Sequence, residues 1–241
     1  MIIAGGDEAG RGAVLGPLTV SIVSIKKSRE ARLASIGVRD SKMLTPKKRS
    51  FLYDEINSLA EDVRIYKITN DEIDKAIATG MSLNSLEALN FARLIDSLNS
   101  EPDRIILDSP DVIPERFGLR VGLFSKRNLK IKGLNAQSVQ PKASTGEKPN
   151  KQMTVIAEHK ADLRYPVVSA ASIIAKVERD AEIERISSRL GLDIGTGYPS
   201  DKTTTDAILT NLKNEKFAKF IRQRWKTLQL IRQLKIDTFI K

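Results

Sequence analysis

The sequence predicts an α/β protein, a sheet flanked by helices, on three observations. Five stretches have strand character, opening at Ile2, Pro17, Val63, Arg104 and Met153. Segments with apolar residues at helical spacing stand between the second and third of these, between the third and fourth, and after the fifth. Two of the strands are apolar runs that end abruptly in acids, the form of a buried strand delivering carboxylates to one end of a sheet.

The first run, Ile2-Ile3-Ala4-Gly5-Gly6, closes in Asp7-Glu8-Ala9 and the turn Gly10-Arg11-Gly12. Pro17 to Ile25 alternates apolar and polar residues, and the short connection predicts an antiparallel pair. Thr45 is placed as an N-cap with Pro46 at the first helical position, and Phe51, Leu52, Ile56 and Leu59 follow at helical spacing. Val63 to Ile68 alternates as a third strand. Asn70 or Asp71 is expected to cap a short helix that runs through Ile77 and ends at Gly80; Ser82 starts a longer one carrying Leu83, Leu86, Leu89, Leu94 and Leu98. On that helix Asn84 reads as part of a polar face. Arg104 to Asp108 repeats the apolar run closed by an acid, and Asp111, beyond Pro110, reads as turn or cap chemistry. From Ser125 to Lys151 the periodicity is lost among Lys, Asn, Gln, Ser, Gly and Pro, which predicts a loop insertion. Met153 to Glu158 is the fifth strand, and the small residues around Ala170 and Ala171 let a helix lie close on a sheet. Gly195 to Asp201 forms a rigid turn in which Ser200 or Asp201 caps the next helix.

Composition narrows the chemistry. With 40 Lys and Arg against 30 Asp and Glu, the net charge of +10 favours a polyanionic partner. Cysteine is absent and one histidine exists, so thiol catalysis, disulfides and His-rich zinc sites have nothing to build with. Catalysis must come from carboxylates. No apolar run approaches the roughly 18 residues of a membrane span, and no basic-then-apolar leader opens the sequence, so a cytoplasmic protein is expected.

A buried ionised carboxylate is costly unless a cation neutralises it, so Asp7 and Glu8 at a strand end suggest a metal site. Gly10-Arg11-Gly12 adds a guanidinium and backbone N–H groups that a phosphodiester can approach. A solvated Asp-Glu turn competes with this reading. No Gly-Lys-Ser/Thr follows as a P-loop requires, and a dinucleotide fingerprint needs glycine at the position of Leu15.

The string Gly5-Gly6-Asp7-Glu8-Ala9-Gly10-Arg11-Gly12 closely resembles the amino-terminal signature of ribonuclease HII, the type 2 ribonuclease H family. Later segments resemble that family in the same order. These are Asp40-Ser41-Lys42, the strand ending at Asp108, Lys160-Ala161-Asp162 followed by Val168-Ser169-Ala170-Ala171-Ser172, Gly195-Thr196-Gly197-Tyr198-Pro199, and Arg224-Trp225-Lys226-Thr227 in the archaeal form. The resemblance implies the ribonuclease H fold, with a five-stranded mixed sheet flanked by helices and a small helical carboxy-terminal region. A catalytic domain over 1–190 would hold the 125–151 insertion, and the helical region would span 191–241. The implied activity is metal-dependent hydrolysis of the RNA strand of RNA/DNA hybrids and of the phosphodiester 5′ of ribonucleotides embedded in duplex DNA. Asp7, Glu8, Asp108 and Asp162 would hold two Mg²⁺ or Mn²⁺ ions and carry catalysis. Gly10, Arg11, Gly12, Lys42 and Lys160 would contact substrate, and Tyr198 would stack on the sugar after the ribonucleotide. Independently of the family, four acids at the ends of three strands suit a two-metal site. Gly6 stands where the family usually has Ile or Val, which is expected to loosen the end of the first strand.

Gln233, Ile236 and Phe239 in the tail have the spacing of peptides that dock on replication sliding clamps, with Ile240 in place of the usual second aromatic; the competing reading is that Leu230, Leu234 and their apolar neighbours continue the helix after Trp225 and pack on the body. A monomer is expected. Two other classes fit the charge: a related metal-dependent nuclease of resolvase type, and a non-catalytic nucleic-acid binding protein. The 5% aromatic content disfavours the second.

Overall fold

The apolar opening run forms a strand, β1 (Ile2–Ala9), and the alternating stretch forms β2 (Leu18–Lys26), in a computed structural model that describes residues 1–38, 44–133 and 151–231. The Lys27 N–H donates to the Met1 carbonyl, so β2 ends where β1 begins and the two are antiparallel, as expected. A 3₁₀ turn (Lys27–Arg29) leads into α1 (Glu30–Ser35), and α2 (Pro46–Leu59) is capped by Thr45, whose hydroxyl accepts from the Lys48 N–H at 3.3 Å. After β3 (Asp62–Ile68) comes α3 (Asn70–Ala78). Its cap is Thr69 rather than Asn70 or Asp71, because Glu72 completes a reciprocal capping box with the Thr69 hydroxyl and N–H. Then follow α4 (Leu83–Asp96), β4 (Arg104–Asp108), α5 (Pro114–Phe124), β5 (Leu129–Ile131) and β6 (Met153–Glu158). The chain continues through α6 (Ala161–Arg164), α7 (Pro166–Leu190), α8 (Lys202–Asn211) and α9 (Glu215–Ala218).

Among the described residues the sheet has six strands, not five, in the order β3-β2-β1-β4-β6-β5. The additional strand, β5, lies inside the stretch expected to be a loop insertion. Its three residues are too few for alternation to stand out, and β5 is defined by parallel pairing with β6 at the sheet edge. Helix α5 carries Gly118 and Gly122, poor helix formers, so propensity alone does not mark it in the sequence. Packing explains the first of these: a Cβ on Gly118 would lie 3.1 Å from Ile131.

The chain divides into two compact units. The first comprises Met1–Glu8, Val20–Tyr66 and Asn84–Val177. Its core joins Ile3 of β1, Val23 and Ile25 of β2, Leu52 and Ile56 of α2, and Val167 to Ile174 of α7. Gly5 permits this contact, because a Cβ there would fall 2.4 Å from the Val167 backbone. The second comprises Ala9–Thr19, Lys67–Leu83 and Glu178–Lys241, with a core of Val14, Leu15, Ile183, Ile186, Ile194, Phe217 and Ile221. Among the described residues no helix is long and apolar enough to cross a membrane.

Candidate active site

Parallel pairing assembles the acids. β1 and β4 are in register with Gly6 opposite Leu107, so Asp7 follows beside Asp108. Carboxylate oxygens of Asp7, Glu8 and Asp108 all lie within 4.8 Å of one another. Asp7 is buried, 5% exposed, while Glu8 and Asp108 are half-buried. Burial first, then the charges of Glu8 and Asp108, push the Asp7 carboxyl well above the usual carboxylate range; hydrogen bonds from the Ser172 side chain and the Glu8 N–H act in the opposite sense. The Ala161 N–H, at the start of α6, donates to Asp108 Oδ1 at 2.7 Å.

Asp162 sits buried in the first turn of α6, its backbone carbonyl receiving the Ser169 hydroxyl. It does not belong to the cluster of three. Lys160 is exposed, and among the described residues it is the only non-glycine with a positive φ, +51°. That left-handed corner turns the chain from β6 into α6. Asp108 also stands in register with Glu158, an acid that sequence reasoning passed over. Glu158 is engaged elsewhere, by Arg164 at 2.8 Å and by the Tyr165 hydroxyl at 3.2 Å. Asp111 lies in the bend ahead of α5 and is not its cap, which is Ile113; it is buried, ion-paired with Arg120 and hydrogen-bonded by Asn84. Asn84 is therefore a buried-acid partner and not simply part of a polar face.

In the second unit, Gly10 adopts φ +89°, and a Cβ there would meet the Pro17 carbonyl at 2.6 Å. Its N–H donates to the Tyr198 hydroxyl at 3.1 Å. Gly12 differs: it is exposed, its φ lies outside the left-handed region, and a Cβ would meet nothing within 4 Å. The protein's own packing does not require glycine there. Tyr198 is half-buried with the Arg179 guanidinium 4.6 Å from its ring centre. The sequence assigns Ser172 no role beyond its place in the family-like segment and does not single out Arg179 or Arg222, since nothing local distinguishes a buried polar residue from a solvated one. Lys42, the insertion from 134 to 150, and Gln233, Ile236 and Phe239 lie outside the described residues.

A sequence profile of the ribonuclease HII family matches residues 4–228. The chain belongs to that family. The ribonuclease HII of Pyrococcus horikoshii is 39% identical over the whole of both chains. The crystal structure of the ribonuclease H2 from Pyrococcus horikoshii superposes with a TM-score of 0.78 at 37% identity, over 97% of this chain and 98% of that one. The Archaeoglobus fulgidus enzyme in its PCNA:RNase HII complex gives 0.76 at 35% identity, over 94% and 96% of the two chains. Membership makes the protein a metal-dependent endonuclease of ribonuclease H type, a hydrolase acting on RNA/DNA hybrids.

Proposed function

We propose that this member of the family also cuts 5′ of ribonucleotides embedded in duplex DNA, leaving 3′-hydroxyl and 5′-phosphate ends, and that Asp7, Glu8, Asp108 and Asp162 hold two divalent cations. The observation that carries the metal reading is the acid cluster, in which a buried carboxylate faces two others within 4.8 Å and would be relieved by a cation. An all-oxygen donor set suits hard Mg²⁺, with Mn²⁺ as a second fit. Such ions, when bound, supply an activated water and stabilise the leaving oxygen.

The chain's own residues orient and select. Ser172 and the Glu8 N–H hold the Asp7 carboxylate, and the Ala161 N–H holds that of Asp108. Selection rests on the Gly10-Arg11-Gly12 turn, which follows Glu8 by chain connectivity. Gly12 leaves room for a sugar edge, so backbone N–H groups can approach a 2′-hydroxyl. Arg11, Lys42 and Lys160 contact phosphates, and the Tyr198 ring tests the adjoining sugar.

The deciding assay is a DNA duplex carrying one ribonucleotide, incubated with and without Mg²⁺ or Mn²⁺. A metal-dependent nick 5′ of the ribonucleotide is expected; hybrid cleavage with no nick at the single site would reject the selective reading. The tail carries a second proposal, that Gln233, Ile236 and Phe239 dock on a replication sliding clamp. Their spacing supports it, as does the PCNA complex of the Archaeoglobus enzyme.

A further inference from the structure

A turn that reads a ligand through its N–H groups must dispose of its carbonyls, because a buried carbonyl without a donor costs as much as a lost hydrogen bond. In the second unit most of that task falls to one side chain, the Ala13 N–H adding a bond to the Gly10 carbonyl at 3.2 Å. Arg222 is fully buried, and its Nη2 donates to the Gly10 carbonyl at 2.7 Å and to that of Gly16 at 3.1 Å. Its Nη1 donates to the Arg11 carbonyl at 2.9 Å and its Nε to Gly16 at 3.3 Å. The Arg222 N–H adds a bond to the Val14 carbonyl at 3.0 Å, and the Trp225 ring lies 5.2 Å from the guanidinium. One planar fork thus spans both ends of the loop from Gly10 to Gly16.

We infer that Arg222 is a positioning residue for the substrate-reading turn: by taking the carbonyls of Gly10, Arg11 and Gly16 it sets the direction of the Arg11 and Gly12 N–H groups. The inference rests on the proposed role of that turn. A guanidinium suits the task because its donors are fixed in one plane, whereas a lysine ammonium is a single flexible point. A cation buried only for stability would be a poor choice, since desolvation opposes it.

Arg222→Lys keeps the charge and loses the fork. On the single-ribonucleotide duplex its kcat/KM is expected to fall about 100-fold, the scale of a misplaced binding group. Mn²⁺ binding by the acid cluster, followed by electron paramagnetic resonance, should not change. Millimolar guanidinium should restore part of the cleavage lost in Arg222→Ala. Should neither variant fold, Trp225→Leu removes the ring and leaves the fork's partners in place; a roughly tenfold loss at unchanged melting temperature supports the role, and no loss overturns it. A folded Arg222→Lys that cleaves like wild type overturns the inference, as does a loss matching only its unfolded fraction. Gly12→Ala, run in parallel, separates the two readings. Impaired Gly12→Ala beside unimpaired Arg222→Lys removes only the role of Arg222. Wild-type cleavage by Gly12→Ala removes the turn's role and the inference with it.

Discussion

Burial and the adjoining Glu8 and Asp108 make Asp7 keep its proton to higher pH in the folded protein than in the unfolded chain, where its value is near 3.8. Between those two values the folded state binds more protons, so without divalent cations stability falls as pH rises from 3.8 and stays lower beyond the folded value. Asp7→Asn removes that loss. In chelator at neutral pH its melting temperature should equal or exceed that of wild type, while cleavage is abolished; residual Mg²⁺-dependent cleavage would refute the metal role. Gly6 meets a different constraint. Its strand is not loosened, since β1 runs on to Ala9 and the space above Gly6 is filled: a Cβ would stand 2.7 Å from Leu107 and 2.9 Å from Phe91. Gly6→Ala should therefore cost about 1–3 kcal/mol through overpacking. Combined with Phe91→Leu, the loss measured by denaturant unfolding should be smaller than the sum of the two single losses.

Short elements carry the site's orientation, and their ends are held by side chains. α6 is four residues long, yet its first N–H fixes Asp108, and the strained corner at Lys160 is what aims it. α8 is tied in a similar way by Asp201. Its carboxylate accepts from the Thr203 N–H at 3.0 Å as the cap, and from the Thr196 N–H and hydroxyl at 2.6 and 2.9 Å across the Gly195 turn. These bonds, that from the Thr196 N–H foremost, lower the Asp201 pKa, so its contribution is present above the unfolded value and lost as pH falls through the folded one. Asp201→Ala should cost about 0.5–2 kcal/mol, the range for a lost N-cap, and flatten the acid limb of the stability profile. An unchanged melting temperature across pH would show the cap to be dispensable.

At the scale of the molecule, the net charge of +10 supplies attraction to any duplex and carries no discrimination, which the proposed function assigns to the turn and the acids. The clamp proposal belongs to this scale because it concerns where the enzyme is delivered. Deleting residues 233–241 should abolish binding to the cognate clamp, read by surface plasmon resonance, with melting temperature and clamp-free cleavage unchanged. A marked drop in melting temperature would instead mark the tail as a packed part of the fold.

The sequence by itself determined the strands that end in acids, the Gly10-Arg11-Gly12 turn after the first of them, the cap at Thr45 and the family, because each is written in contiguous residues with a local physical signature. Apolar runs stopping at Asp7 and Asp108 are legible without a fold. Only tertiary structure decided the rest. β5 exists through pairing with β6, α5 overrides its glycines by close packing, and Thr69 wins the cap through Glu72. The fork of Arg222 on Gly10 joins residues 212 positions apart, and the Tyr198 hydroxyl meets the Gly10 N–H across 188. Whether a polar side chain is solvated or buried against a distant carbonyl depends on which segments the fold brings together, and no local pattern encodes that.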